Sequence, residues 1–156
     1  MQSTVTTLKR AARSGAYASI ASTLLLLACG VRDCRSAFAP VNAVSHWLWK
    51  DKAIHQQDAS LRYSLLGYAI HHAASIFWAL FYERWAETAK QPESARKTMA
   101  RAAAMASVAC AVDMRCTPER LTPGFERRLS RKSLLLVYGA FGLGLALHTL
   151  IDGRRR

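Results

Sequence analysis

The chain has 156 residues, of which 51 % are apolar, and it carries 22 Lys and Arg against 10 Asp and Glu, for a formal net charge of +12. This composition excludes a disordered chain, a collagen and a disulfide-dense mini-protein. The charged residues are clustered between long uncharged runs, and this distribution predicts a small all-α, multi-pass membrane protein.

The first uncharged run has 18 residues and lies between Arg13 and Arg32. A transmembrane helix needs about 20 mostly apolar residues, so this run predicts a span over about 14–31. A basic lead before an apolar core is also typical of a secretory signal, and the end of the run at Cys29 resembles a lipoprotein cleavage box. Because three further spans would be unusual in a cleaved lipoprotein, we expect a membrane helix.

The next uncharged stretch has only 14 residues and is interrupted by Pro40. It is too short and too broken to cross a bilayer. Tryptophan side chains favour the level of the lipid headgroups. We therefore expect an amphipathic, interfacial or re-entrant segment over about 36–55, with His46, Trp47 and Trp49 at the interface.

The second long run has 20 residues and predicts a span over about 62–82, with His71 and His72 at its centre. Ionisable groups inside a membrane are functional candidates by default, because burying them is costly. A neutral imidazole costs much less than a charge, so we favour a hydrogen-bonded polar layer that fixes helix packing. A proton relay, a substrate contact and a metal site remain open. The serines at comparable depth are Ser22, Ser75 and Ser107.

The third run is weaker, with 11 residues between Arg101 and Asp113. It predicts a helix over about 98–115 that crosses the bilayer if both flanking charges reach outward. The alternative is a buried or interfacial helix, and the abundance of alanine and serine suits packing against neighbouring helices. We expect Asp113 to pair with Arg115 or with a loop arginine; a carboxylate that binds a cation is the alternative.

The last run has 19 residues and predicts a span over about 133–151. His148 shares a helix face with Ala140 and Gly144, a spacing of small residues that lets helices approach closely, so we expect it to pack. At 1.5 Å per residue, His71 and His148 differ in depth by about 12 Å, which disfavours a haem held by both.

Cysteine positions indicate a disulfide more than redox chemistry. If both ends of the chain are cytoplasmic, all four cysteines lie near the outer face, and Cys34 with Cys116 is a plausible pair. None forms a C-x-x-C unit, so thiol redox catalysis has little support. The cysteines with His46 or His55 match no standard zinc spacing, and no metal site is predicted.

The topology depends on the two ends of the chain, because the total number of basic residues, with the ends included, is the same on the two sides of the membrane. The start carries Lys9, Arg10 and Arg13, and the end carries three arginines over 154–156. The positive-inside rule therefore predicts that both termini are cytoplasmic. Basic residues at the ends of apolar runs suit lipid headgroups, and without a zinc-finger spacing or an aromatic platform nucleic acid is not an expected partner.

A resemblance that extends over about two thirds of the chain is carried by three stretches: VNAVSHWLWKDKA, LLGYAIHHAASIFWALFYERW and CTPERLTPGFERRLS. They resemble small multi-pass inner-membrane proteins of Gram-negative bacteria. The resemblance implies placement in a bacterial inner membrane and carries over no catalytic or binding residue. It also suggests that the Thr-Pro-Gly turn forms one unit with the histidines and tryptophans of the first two stretches: His46, Trp47, Trp49, His71 and His72.

The sequence thus predicts one membrane domain over 1–156, a compact all-α bundle of four transmembrane helices with an amphipathic or re-entrant segment after the first. The expected function is that of an accessory or structural subunit without catalytic activity or cofactor. Its partners would be the lipid bilayer and another membrane protein or a second copy. The alternatives are a small transporter or ion- or proton-conducting protein that uses His71 or His72, and a metal- or haem-binding redox protein.

Overall fold

The computed structural model describes residues 4–89 and 94–153, and within these ranges every regular element is helical. The predicted all-α class is confirmed. The three terminal arginines over 154–156, on which part of the predicted topology depends, lie outside the described residues. The long helices are α1 (Thr4–Cys34), α5 (Leu66–Glu87), α6 (Ala95–Arg115) and α7 (Arg131–Gly153), and the short helices are α2 (Ala39–Val44), α3 (His46–Trp49) and α4 (Asp51–Ile54).

Three of the described helices are long and apolar enough to cross a membrane: Thr4–Cys34, Leu61–Glu87 and Arg131–Ile151. The second includes a π-helical turn, Leu61–Leu65, that leads into α5. The fourth predicted span corresponds to α6, which has 21 residues and is therefore about 30 Å long. Its apolar run is short because Arg101 lies inside the helix, so α6 does not belong to the apolar set.

Helix α1 is the central element of the bundle. It packs against α5 and α7 along its length, while α6 packs on α7 and makes few contacts with α5. Small residues allow the close approach: a Cβ on Gly15 would lie 2.7 Å from the Cα of Ile76, and a Cβ on Gly144 would lie 2.4 Å from the Cα of Ala18. Ten residues of α1 are buried by these contacts and those of the adjoining segments.

One end of the bundle is covered by the predicted interfacial segment, and we call it the capped end. All six residues of α2 are buried between the end of α1, the start of α5 and the turn at Phe125. Asn42 is fully buried there, and it donates to the Asp58 carbonyl at 2.9 Å and accepts from Ser64 Oγ at 2.6 Å. The segment over 36–55 is thus three short helices, of which the first is enclosed by protein.

The capped end is also fastened to the start of α7. Asp33 Oδ2 accepts from the backbone N–H of Ser130 at 2.8 Å and from Ser133 Oγ at 2.5 Å. A carboxylate at this position accepts hydrogen bonds at the start of the helix, where backbone N–H groups lack partners within the helix. Its negative charge also interacts favourably with the positive end of the helix dipole. Because this cap comes from α1, it joins the first and last helices of the described chain.

The predicted disulfide is not formed. All four cysteines are free, and the Cys34 thiol donates to the carbonyl oxygen of Arg128 at 3.0 Å. Cys116 is exposed, whereas Cys29 is buried within α1. The sequence prediction placed Cys34 and Cys116 at the same end of the bundle, but the partner of a thiol depends on the packing of loops that helical spacing does not determine.

Candidate functional site

A cavity of about 410 Å³ lies near the capped end, between α5 on one side and α6 and α7 on the other. Its space arises where α5 and α6 make few contacts. The turn over residues 117–125 contributes to its wall, as do Ser22 of α1 and Trp47 of α3. We call this space the cavity.

The wall of the cavity is mainly apolar and rich in aromatic rings. Several rings contact one another edge to face, such as Phe125 with Tyr138, whose centroids are 6.2 Å apart. The aromatic residues on the wall are Trp47, Phe77, Trp78, Phe125, Tyr138 and Phe141. A mostly apolar pocket of this size with a few polar groups is the usual form of a small-molecule site.

Asp113 is the carboxylate on the cavity wall. Its Oδ2 accepts a hydrogen bond of 2.7 Å from the Tyr138 hydroxyl. The expected ion pair with Arg115 or a loop arginine is absent: within the described part of the chain, no lysine, arginine or histidine nitrogen lies within ion-pair distance of Asp113. The side chain points toward α7 and the cavity, so the carboxylate is held by a neutral donor.

His71 joins α1, α5 and the turn. Its Nε2 lies 2.8 Å from Ser22 Oγ, its ring lies edge to face against Phe125 at 6.2 Å, and its carbonyl accepts from Ser75 Oγ at 2.8 Å. The Ser22 hydroxyl also donates to the carbonyl of Ala18 at 2.7 Å. Because a hydroxyl has one proton to donate, this geometry favours the tautomer of His71 that carries its proton on Nε2.

The predicted polar layer is therefore present in part. Ser22, His71 and Ser75 come together, but Ser107 is exposed and donates to the carbonyl of Ala103 in its own helix. Ser107 lies at a suitable depth, but the rotation of α6 directs it away from α5. His72 faces another side of α5, where its ring lies 5.7 Å from that of Tyr68.

The unit suggested around the Thr-Pro-Gly turn is also present in part. His46 Nδ1 lies 3.0 Å from the Ala43 carbonyl, and Trp47 Nε1 donates to the Thr122 carbonyl at 2.8 Å. Gly124 has φ +86° and lies so close to Ala43 that a Cβ would meet its carbonyl oxygen at 2.4 Å. This conformation and contact require glycine.

Trp49 lies outside that unit. The guanidinium of Arg62 is 4.1 Å from the centroid of the Trp49 ring, and Tyr63 packs against the same ring. The structure therefore brings His46, Trp47 and His71 together around the turn, and it places Trp49 and His72 elsewhere.

A second polar cluster, which the sequence analysis missed, lies at the end of the bundle opposite the capped end. Glu83, Arg101 and His148 are 3 %, 7 % and 5 % exposed, and they come from α5, α6 and α7. The guanidinium of Arg101 lies 5.1 Å from the centroid of the buried Tyr82 ring. His148 packs as expected, with its ring 6.5 Å from that of Tyr17.

Arg101 was interpreted as a flanking charge that reaches outward because it lies at the end of an apolar run, whereas His148 was expected to pack. The sequence nonetheless contained a signal for this cluster. Three of the predicted spans have an ionisable group within about one helical turn of the end that faces the same side of the membrane. Among the residues that the structure describes, no group of three His, Cys, Asp or Glu side chains could hold a metal ion.

Comparison with known protein families, with curated proteins and with solved structures finds no match to this chain. The class of protein is therefore defined by the fold itself: an all-helical protein with three helices able to cross a membrane, a fourth long helix and an aromatic cavity beside them.

Proposed function

We propose that the chain is a four-span protein of the bacterial inner membrane, with both termini in the cytoplasm, that acts as a non-catalytic accessory or structural subunit. The bilayer and another membrane protein, or a second copy, would be its partners. The observation that carries the non-catalytic role is that His71, the central intramembrane candidate, is bonded to Ser22 of the neighbouring helix at 2.8 Å. A polar side chain that is hydrogen-bonded to a neighbouring helix stabilises the packing of the two helices.

A membrane position for α6 is supported by the way in which two of its charged side chains are accommodated. Arg101 is buried beside the Tyr82 ring, and Asp113 accepts from Tyr138 at the other end of the helix. Charged groups inside membranes are tolerated where they face the bundle interior. With α6 as a span, an even number of crossings returns both termini to one side, and the basic start of α1 favours the cytoplasm.

Native mass spectrometry of the protein purified in mild detergent, together with its visible spectrum and metal content, tests this proposal. We expect a colourless, metal-free protein that retains a second membrane protein or a second copy of itself. A haem band or a stoichiometric metal would overturn the accessory role and favour the redox alternative. A monomer without any protein partner would also contradict it.

A second function, transport through a path that includes His71, is favoured by one observation: His71 lies on the wall of the cavity. The largely apolar wall suits a lipophilic molecule better than water or a hydrated ion. Uptake of an organic solute into vesicles that contain the purified protein would support transport, and its loss in His71→Phe would assign the path.

A further inference from the structure

We propose that the cavity binds a lipophilic organic cation, in which an ammonium or similar positive centre carries aromatic or alkyl groups. The juxtaposition that points to this class of ligand is a carboxylate without a cationic partner, Asp113, on a wall made mostly of aromatic and aliphatic side chains. The inference does not depend on the proposed accessory role, because an accessory subunit and a transporter could both have this binding site.

The size of the cavity suits a small organic molecule. Its volume of about 410 Å³ lies within the range of roughly 300–1,000 Å³ that is usual for ligand pockets. The wall is contributed by α5, α6 and α7, by Ser22 of α1, and by a turn that is itself held by Trp47 and Gly124. A pocket formed in this way exists before the ligand arrives, which reduces the ordering cost of binding.

The charge of the wall favours a cation. Asp113 is the one carboxylate among the described residues that line the cavity, and its hydrogen bond comes from the neutral Tyr138 hydroxyl. A carboxylate in apolar surroundings is costly unless a positive charge compensates it. A bound cation would supply that charge, whereas an anion would be repelled and a neutral molecule would leave the cost unchanged.

The aromatic rings favour an organic cation over a metal ion. Cations are attracted to the faces of Trp, Tyr and Phe rings, and the wall of the same cavity includes Trp47, Trp78 and Phe125. Ca²⁺ and Mg²⁺ require about six oxygen ligands. The wall provides the Asp113 carboxylate and the Tyr138 hydroxyl at one place, a set too small for either ion.

Equilibrium binding of tetraphenylphosphonium to the purified full-length protein tests the proposal, with tetraphenylborate as an anion of the same shape. We expect saturable binding of the phosphonium and at least tenfold weaker binding of the borate. Asp113→Asn keeps the shape of the side chain and should weaken phosphonium binding tenfold or more. Asp51→Asn is the matched control, since the Asp51 side chain is 87 % exposed outside the cavity, and it should bind like the unmodified protein.

A second variant keeps the test decisive if Asp113→Asn does not fold. Ala74→Trp fills the cavity from α5 without altering the carboxylate, at a half-buried position on the cavity wall where the larger side chain can extend into the cavity. It should abolish phosphonium binding while the protein remains monodisperse in size-exclusion chromatography. Equal binding of both ions, unchanged affinity in either variant, or no saturable phosphonium binding at millimolar concentration would overturn the proposal.

Discussion

At the scale of single residues, polar side chains within the bundle are used in pairs that join two helices. Ser22 of α1 meets His71 of α5, and Asp113 of α6 meets Tyr138 of α7. Such pairs contribute about 0.6 kcal/mol on average between membrane helices, and up to about 1.7 kcal/mol in single cases. They specify which helices are neighbours more than they determine total stability.

Ser22→Ala removes the hydroxyl that bonds His71 Nε2 and leaves a buried imidazole nitrogen without this partner. We expect it to lower the free energy of unfolding by about 1 kcal/mol, measured by thermal or denaturant unfolding in detergent. Ser107→Ala is the matched control, because Ser107 is exposed and bonds only its own helix, and it should change stability little. Equal effects of the two substitutions would show that the interhelical bond has no energetic role.

At the scale of elements, the lengths of uncharged runs predict where the helices are but not which of them pack together. The runs at 14–31, 62–82 and 133–151 each lie within a described helix. The helices extend further, α1 by ten residues at its start, because a helix does not end where its first charge occurs. The sequence places Glu83 and Arg101 at the ends of their apolar runs, but it does not show that both are buried, since their burial follows from the way in which α5, α6 and α7 pack together.

The close contact between α1 and α7 is tested by two glycines on the same helix. A Cβ on Gly144 would lie 2.4 Å from a backbone atom of Ala18, whereas nothing lies within 4 Å of a Cβ on Gly139. Gly144→Ala should therefore destabilise the protein by about 1–3 kcal/mol, since inserted atoms in a packed interface force backbone shifts. Unfolding in detergent measures this change.

Gly139→Ala serves as the control for this prediction. Alanine is a better helix former than glycine, so the exposed substitution should be neutral or stabilising by up to about 1 kcal/mol. A Gly144→Ala protein as stable as Gly139→Ala would mean that α1 and α7 do not approach as closely as the structure indicates.

At the scale of the whole molecule, the topology depends on whether α6 crosses the bilayer, and cysteine labelling decides it. In intact cells, an impermeant maleimide should label Cys116, which is exposed and free, and Cys116→Ser should remove this signal. A cysteine introduced by Lys9→Cys in the Cys116→Ser background should react only after the membrane is permeabilised. We expect this pattern because four spans place position 116 outside and position 9 inside.

The other labelling patterns have distinct meanings. If positions 9 and 116 behave alike, α6 does not cross, and the protein has three spans. If position 9 reacts in intact cells and Cys116 does not, the bundle has four spans in the opposite orientation. Electrophoresis of the same samples with and without reductant should show identical mobility, because the cysteines are free.

The adjacency of α1 and α7 has a consequence for biosynthesis. About a hundred residues separate the end of α1 from the start of α7, which corresponds to about 5–20 s of translation. During that interval a newly inserted α1 lacks its principal neighbour. Its Ser14 and Ser22 hydroxyls nevertheless donate to carbonyls of their own helix, those of Arg10 and Ala18. These two hydroxyls are thus satisfied within α1 before the last helix emerges from the ribosome, which lowers the cost of holding the nascent helix in hydrocarbon.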